Sequence, residues 1–118
     1  MAKEGIENDL LLNFRDFRDS GNDELEKERY NPAISSYFKA LVILCDWKIY
    51  RERGLLPKNH NERFDFLKQY FPEAYSLVSS IFKEYRDSYN LRMEKKDALK
   101  VKENAKKLRN LFEIKKNN

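Results

Sequence analysis

The chain contains a single histidine, and any chemistry that needs an imidazole to move a proton must use it. This residue, His60, stands beside Glu62 and Arg63 at the start of a predicted helix, where closing a turn or capping the helix is its alternative role. The sequence has no Ser-His-Asp set, no glycine-rich phosphate loop and no Cys/His cluster with metal-ligand spacing. We therefore expect no catalytic residue of these classes, no metal and no cofactor.

Asp46 is flanked by apolar residues on a helix that we expect to be mostly buried. Because a buried carboxylate needs a cation or hydrogen-bond donors around it, we expect a partner for Asp46. Arg63 and Arg86 are the two candidates, and a structural ion pair is the expected role.

The segment 85–92 combines two arginines with two tyrosines. On a helix Arg86, Tyr89 and Asn90 would share one face, with Tyr85 and Arg92 at its flanks. Guanidinium groups match phosphates and aromatic rings match nucleobases, so this face is a candidate site for a nucleotide or RNA. The alternative is a polar network between helices.

Long helices with few connections must position these residues, because three glycines and three prolines leave little material for turns. Apolar residues that step by three and four predict a first helix over residues 4–28, in which Gly21 either packs closely against a neighbour or breaks the helix. Asn31-Pro32 indicates a helix start, since Asn can cap free N–H groups and Pro suits the first helical position. This second helix ends before Gly54, which tolerates a left-handed cap.

Three further helices follow. Asn59 has capping-box spacing to Glu62 and predicts the start of a short third helix. Pro72 begins a fourth helix, and a fifth, basic helix runs on from Lys95. No Gly or Pro separates the last two, so the sequence leaves open whether they are continuous.

Apolar residues cover nearly the whole circumference of the second helix. Such a helix is either central in its bundle or shared with a second subunit. We predict an all-α protein with a single domain over residues 1–118, folded as an antiparallel bundle of four to five helices, and a homodimer.

Charge is distributed unevenly along the chain. Residues 1–30 carry five basic and nine acidic side chains, whereas residues 95–118 carry nine basic and three acidic ones. This basic tail would suit a polyanion or an acidic protein, and a solvated lysine-rich helix is the alternative. The single Cys45, with no apolar run long enough for a signal peptide or a membrane span, favours a cytoplasmic protein that is not attached to a membrane.

Five short segments, taken in their order along the chain, indicate a possible family relationship. They are Arg29-Tyr30-Asn31-Pro32-Ala33, Ser36-Tyr37-Phe38-Lys39-Ala40-Leu41, the loop with His60, Phe71-Pro72-Glu73 and Tyr85-Arg86-Asp87-Ser88-Tyr89. Together they resemble the HEPN superfamily of small helical bundles named for nucleotide binding, over roughly residues 25–115. The resemblance implies a dimerising bundle of four or five helices. Many members act as ribonucleases or pair with a nucleotidyltransferase-like protein.

In the ribonuclease members of that superfamily, an Arg on the fourth helix is followed by a polar residue and, after a short gap, by His. Arg86 and Asp87 match the first two positions, but Leu91, Arg92 and Met93 occupy the places where the His would stand. Without it, proton transfer at the ribose 2′-hydroxyl has no evident agent. The resemblance therefore supports the fold and argues against ribonuclease activity.

The leading hypothesis is a non-catalytic HEPN-like domain that binds RNA or a nucleotide, or acts as a partner or antitoxin-type module for another protein. The candidate binding residues are Arg86, Asp87, Tyr89, Arg92, His60 and Arg63. A divergent, metal-independent ribonuclease that uses Arg86 with His60 is the first alternative. A helical scaffold whose basic tail docks an acidic protein is the second.

Overall fold

A computed structural model of the protein describes residues 2–112. Five helices make up most of this range: α1 (Ala2–Glu26), α2 (Tyr30–Arg53), α3 (His60–Tyr70), α4 (Pro72–Asp87) and α5 (Lys95–Leu111). Residues 2–112 contain no β-strand, so the predicted all-α class is confirmed, with five helices. Two basic residues of the predicted tail, Lys115 and Lys116, lie outside the described residues.

The central element is α2, against which the other four helices all pack. Leu41, Leu44 and the single cysteine, Cys45, lie in its middle and are 0 % exposed. Burial of each large apolar side chain of this kind stabilises the fold by about 1.5–3 kcal/mol. The apolar breadth of α2 is thus largely covered within one chain, and Val42 and Ile43 stay half-buried.

Helix α1 continues through Gly21 because this residue packs against the ring of Tyr37 on α2. A Cβ atom added at Gly21 would lie 2.6 Å from two ring carbons of Tyr37. The Tyr37 hydroxyl donates a hydrogen bond of 2.6 Å to Oδ1 of Asn22, and burial raises its pKa to about 12. Of the two alternatives for Gly21, close packing is therefore the correct one.

The turn between α1 and α2 holds a non-glycine residue in the left-handed region. Glu28 has a φ of 60°, and its N–H donates to the carbonyl of Leu25 at 3.0 Å. The N–H of Arg29 donates to the carbonyl of Glu24 at 2.9 Å, which completes a Schellman motif. Helix α2 then begins at Tyr30 with Arg29 as its N-cap, so the predicted capping role of Asn31 is wrong.

The other helix ends follow local signals more closely. Gly54 closes α2 with a φ of 73°, and its N–H donates to the carbonyl of Tyr50 at 2.7 Å. The side chain of Asn59 accepts a hydrogen bond of 2.9 Å from the N–H of Glu62, so the predicted cap of α3 is confirmed. No helix within residues 2–112 is long and apolar enough to cross a membrane.

Candidate nucleic-acid interface

The first turn of α3 presents the cation that pairs with Asp46 of α2. Arg63 donates from Nε to Oδ1 at 2.7 Å and from Nη2 to Oδ2 at 3.0 Å, and it is only 8 % exposed. Burial raises the pKa of the Asp46 carboxyl, and the hydrogen bonds and charge of Arg63 work against that shift. Of the two arginines considered from the sequence, Arg63 is thus the partner. Its guanidinium is already engaged and is not free to bind a phosphate.

The same guanidinium fixes the protonation state of His60. Nη1 of Arg63 lies 2.9 Å from Nδ1 of His60. Since a guanidinium can only donate, Nδ1 accepts, and the hydrogen of the neutral imidazole lies on Nε2. Burial and the charge of Arg63 lower the pKa of His60, although Asp46 opposes them. The ring is therefore neutral at pH 7, with no lone pair free to take up a proton.

The ring of His60 also belongs to an aromatic cluster between α2, α3 and α4. Its centroid lies 6.1 Å from that of Phe38, 6.0 Å from that of Phe64 and 5.7 Å from that of Phe82. Edge-to-face and offset contacts at such distances stabilise aromatic clusters. The edge of this cluster opens into a pocket of about 300 Å³ lined by Phe17, Phe38, Lys39, Val42, Ile43, His60 and Tyr85.

Two tyrosines extend this cluster to the surface. Tyr85 stacks on Phe38 with ring centroids 4.1 Å apart and an interplanar angle of 12°. Tyr89 meets the ring of Tyr85 edge-on at 5.4 Å, and their hydroxyl oxygens are 2.7 Å apart. Burial and this hydrogen bond raise the pKa of Tyr85 to about 12. Tyr89 remains 67 % exposed, so this end of the cluster presents an aromatic ring to solvent.

The charged residues of segment 85–92 do not lie on one helix face, because α4 ends at Asp87. The prediction that Arg86, Tyr89 and Asn90 share one helix face is therefore wrong. Arg86 lies on the last turn of α4, with its guanidinium 5.2 Å from the centroid of the Phe82 ring. Asp87 forms a 2.6 Å ion pair with Lys83. This pair neutralises Asp87 rather than presenting it to a ligand.

Arg92 and Tyr89 lie in the connection between α4 and α5, and both are exposed. Within the described part of the chain, neither Arg86 nor Arg92 forms an ion pair with a carboxylate. We call Tyr85, Arg86, Tyr89 and Arg92 the tyrosine–arginine surface. Its aromatic part is joined to His60 through Phe38 and Phe82, whereas Asp46 and Arg63 form a structural ion pair that contacts His60.

Asn31 holds this connection in place, a role that no local pattern around it predicts. Its Nδ2 donates to the carbonyls of Ser88 and Leu91, each at 2.7 Å. Its Oδ1 accepts from the N–H of Met93 at 3.0 Å. One amide on α2 thus satisfies three backbone groups of a turn 57 to 62 residues away.

Among residues 2–112, no group of three or more His, Cys, Asp or Glu side chains is arranged to hold a metal ion. Comparison of the chain with protein-family models, curated protein sequences and solved structures found no significant match. The HEPN resemblance therefore stays a hypothesis that rests on the short segments of the sequence.

Proposed function

We propose that this chain binds single-stranded RNA or a nucleotide at the tyrosine–arginine surface and does not cleave it. One observation carries the proposal: the ring of Tyr89 is 67 % exposed, and it packs edge-on against Tyr85, to whose hydroxyl it is hydrogen-bonded. An exposed aromatic ring is normally mobile, and ordering it in advance lowers the entropic cost of stacking a base on it.

The two arginines supply the phosphate contacts of this proposal. Arg86 and Arg92 stand on either side of Tyr89 in the chain, and both are exposed. A guanidinium that is not held by a carboxylate can form a two-pronged contact with a phosphate. The HEPN resemblance points the same way, since its name refers to nucleotide binding.

The state of His60 supports binding without cleavage. To act as a general base, the imidazole would need a free lone pair, and Arg63 occupies the one on Nδ1. Because the pKa of His60 is lowered, the ring is mostly unprotonated at pH 7 and carries no imidazolium proton to give to a leaving group. A divergent ribonuclease that pairs Arg86 with His60 would first have to break the Arg63 contact.

Fluorescence anisotropy with a labelled single-stranded RNA of mixed sequence tests the binding proposal. Tyr89→Ala should weaken binding by about 5- to 150-fold at every salt concentration, because a stacked base contributes about 1–3 kcal/mol. Tyr89→Phe keeps the ring and should retain most of the affinity. Tyr70→Ala is the matched control, since Tyr70 is an exposed tyrosine on α3, and it should bind like the wild type.

A salt series tests the arginines separately. Arg86→Gln should make the slope of log affinity against log salt shallower by about 0.7, the value for one lost phosphate contact on a single strand. Arg53→Gln removes the same charge from the end of α2 and should change the slope less. In the anisotropy experiment, equal RNA affinities of the wild type and Tyr89→Ala would show that no base stacks on Tyr89 and would refute the proposed surface.

Incubation of the same RNA with purified protein tests the absence of catalysis. We expect no cleavage above background without added metal ions. Cleavage that persists through purification and disappears in Arg86→Ala would establish the ribonuclease alternative instead.

The homodimer and a nucleotidyltransferase-like partner remain proposals beside this function. Helix α2 packs against the other four helices of its own chain, and only its half-buried residues, Tyr30, Val42, Ile43 and Tyr50 among them, leave apolar surface that a second subunit would cover. Sedimentation velocity at micromolar concentration tests the dimer, and a monomer under those conditions would refute it.

A further inference from the structure

A second pocket lies between α1 and α5 and shares no residue with the tyrosine–arginine surface. Its volume is about 330 Å³, which is the lower end of the range for small-ligand sites. The residues that matter for its chemistry are Arg18 and Asn22 of α1, Tyr37 of α2, and Lys102, Lys106 and Arg109 of α5.

Three cations of α5 face this pocket together. Lys102, Lys106 and Arg109 are spaced by four and three residues, which places them on one side of the helix. Within the described residues none of them forms an ion pair with a carboxylate. Like charges four residues apart destabilise a helix slightly, so this arrangement favours an anion that neutralises them.

The α1 side of the pocket adds a fourth cation and one acid. Arg18 donates from Nε to Asp19 at 3.1 Å, and its guanidinium lies 5.5 Å from the centroid of the Phe14 ring. The side chain of Asp19 is 63 % exposed, so water screens its charge strongly. The pocket therefore keeps an excess of positive charge.

Two further hydrogen-bond donors of the pocket also suit a ligand rich in acceptor oxygens. Oδ1 of Asn22 already accepts from the Tyr37 hydroxyl, which leaves the amide N–H₂ of Asn22 as a donor. Nε of Arg109 is buried and has no hydrogen-bond partner among the described residues. A buried N–H normally has an acceptor, and an anionic oxygen that reached this guanidinium would supply the missing one.

We propose that this pocket binds the phosphate groups of a polyphosphate or of an RNA strand, through Lys102, Lys106, Arg109 and Arg18. Phosphate oxygens accept several hydrogen bonds at once and carry the charge that these donors lack. The site goes beyond the proposed RNA-binding surface and does not depend on it, because it uses different residues and different helices.

Isothermal titration of the full-length protein with inorganic tripolyphosphate at about 50 mM salt tests the site, since this probe has no base to stack on Tyr89. We expect binding that Lys106→Gln or Arg109→Gln weakens by about tenfold, the effect of losing one charge-assisted contact. Lys107→Gln is the matched control: it removes the same charge from the next residue of α5, which does not line this pocket, and should change affinity less than about twofold.

Two results would overturn the site. One is the absence of tripolyphosphate binding by the wild type, and the other is an equal loss in Lys106→Gln and Lys107→Gln, which would mean attraction by net charge alone. Circular dichroism confirms that each variant folds. A competition arm identifies the source of the phosphate: RNA that displaces tripolyphosphate from wild type places its backbone in the pocket, and RNA that fails to do so leaves a free polyphosphate as the ligand.

Discussion

Substitution of Gly21 by Ala should destabilise the protein, although the same change usually stabilises a helix. A Cβ atom at this position would lie 2.6 Å from Cδ1 and Cε1 of Tyr37 and 3.0 Å from its Cγ. The Tyr37 ring cannot swing aside easily, because it is 1 % exposed and its hydroxyl is bonded to Asn22. Either the ring or the whole of α1 must move.

The expected size of this effect follows from three contributions. Overpacking of a core contact costs about 1–3 kcal/mol. Loss of the hydrogen bond between Tyr37 and Asn22 adds about 1 kcal/mol, while the better helix propensity of Ala returns about 1 kcal/mol. We therefore expect Gly21→Ala to lower the free energy of unfolding by about 1–3 kcal/mol.

Urea denaturation followed by the fluorescence of Trp47, the only tryptophan and a buried one, measures this change. Gly5→Ala is the matched control in the same helix, since a Cβ there meets nothing within 4 Å, and it should stabilise by about 0.5 kcal/mol. On a Tyr37→Leu background, Gly21→Ala should become neutral or stabilising. If Gly21→Ala alone raises the midpoint as Gly5→Ala does, the close contact between α1 and α2 is not real.

Three further predictions concern stability and use the same denaturation assay. Arg63→Met leaves the Asp46 carboxylate without its cation and should lower the free energy of unfolding by about 3 kcal/mol. The double variant Arg63→Met/Asp46→Leu should recover most of this loss. Equal stabilities of the two variants would contradict the pairing. Because the folded pKa of His60 lies below its ordinary 6.5, the folded state binds fewer protons there, so stability is complete above pH 6.5 and falls as the pH is lowered. Between pH 7.5 and pH 5, His60→Gln should lose less stability than the wild type. If both proteins lose the same stability over this range, the lowered pKa of His60 is not the cause. Glu28→Gly should raise the free energy of unfolding by about 1 kcal/mol by removing the left-handed strain, and Glu28→Ala, its control, should not.

Helix positions were predictable where the signal is local. Gly54 ends α2 because a left-handed residue is needed there, and Asn59 begins α3 because its side chain bonds the next turn. Both effects act over a few residues and leave a mark in the sequence. The end of α4 at Asp87 left no such mark, since the hydrogen bonds that hold the following turn come from Asn31.

The candidate site was predictable in its residue types and less so in its geometry. The need of Asp46 for a cation follows from its apolar flanks, but only tertiary packing brings Arg63 rather than Arg86 to it. The pocket between α1 and α5 could not be anticipated as a site. Lys102 and Lys106 look like part of a solvated face until Arg18, more than eighty residues earlier in the sequence, is placed opposite them.

The reactivity of the single, buried Cys45 can report how often the folded protein opens. Only the thiolate reacts with disulfide reagents, and burial both raises the pKa of this thiol and excludes the reagent. Because the residue lies in the middle of α2 at 0 % exposure, fraying of helix ends leaves it protected and only openings that reach the core release it. When reclosing is fast, the labelling rate in plain buffer is proportional to the open fraction, and each 1.4 kcal/mol of stability slows it about tenfold. The effect of each substitution on stability can therefore be measured from the labelling rate of the native protein, without any denaturant.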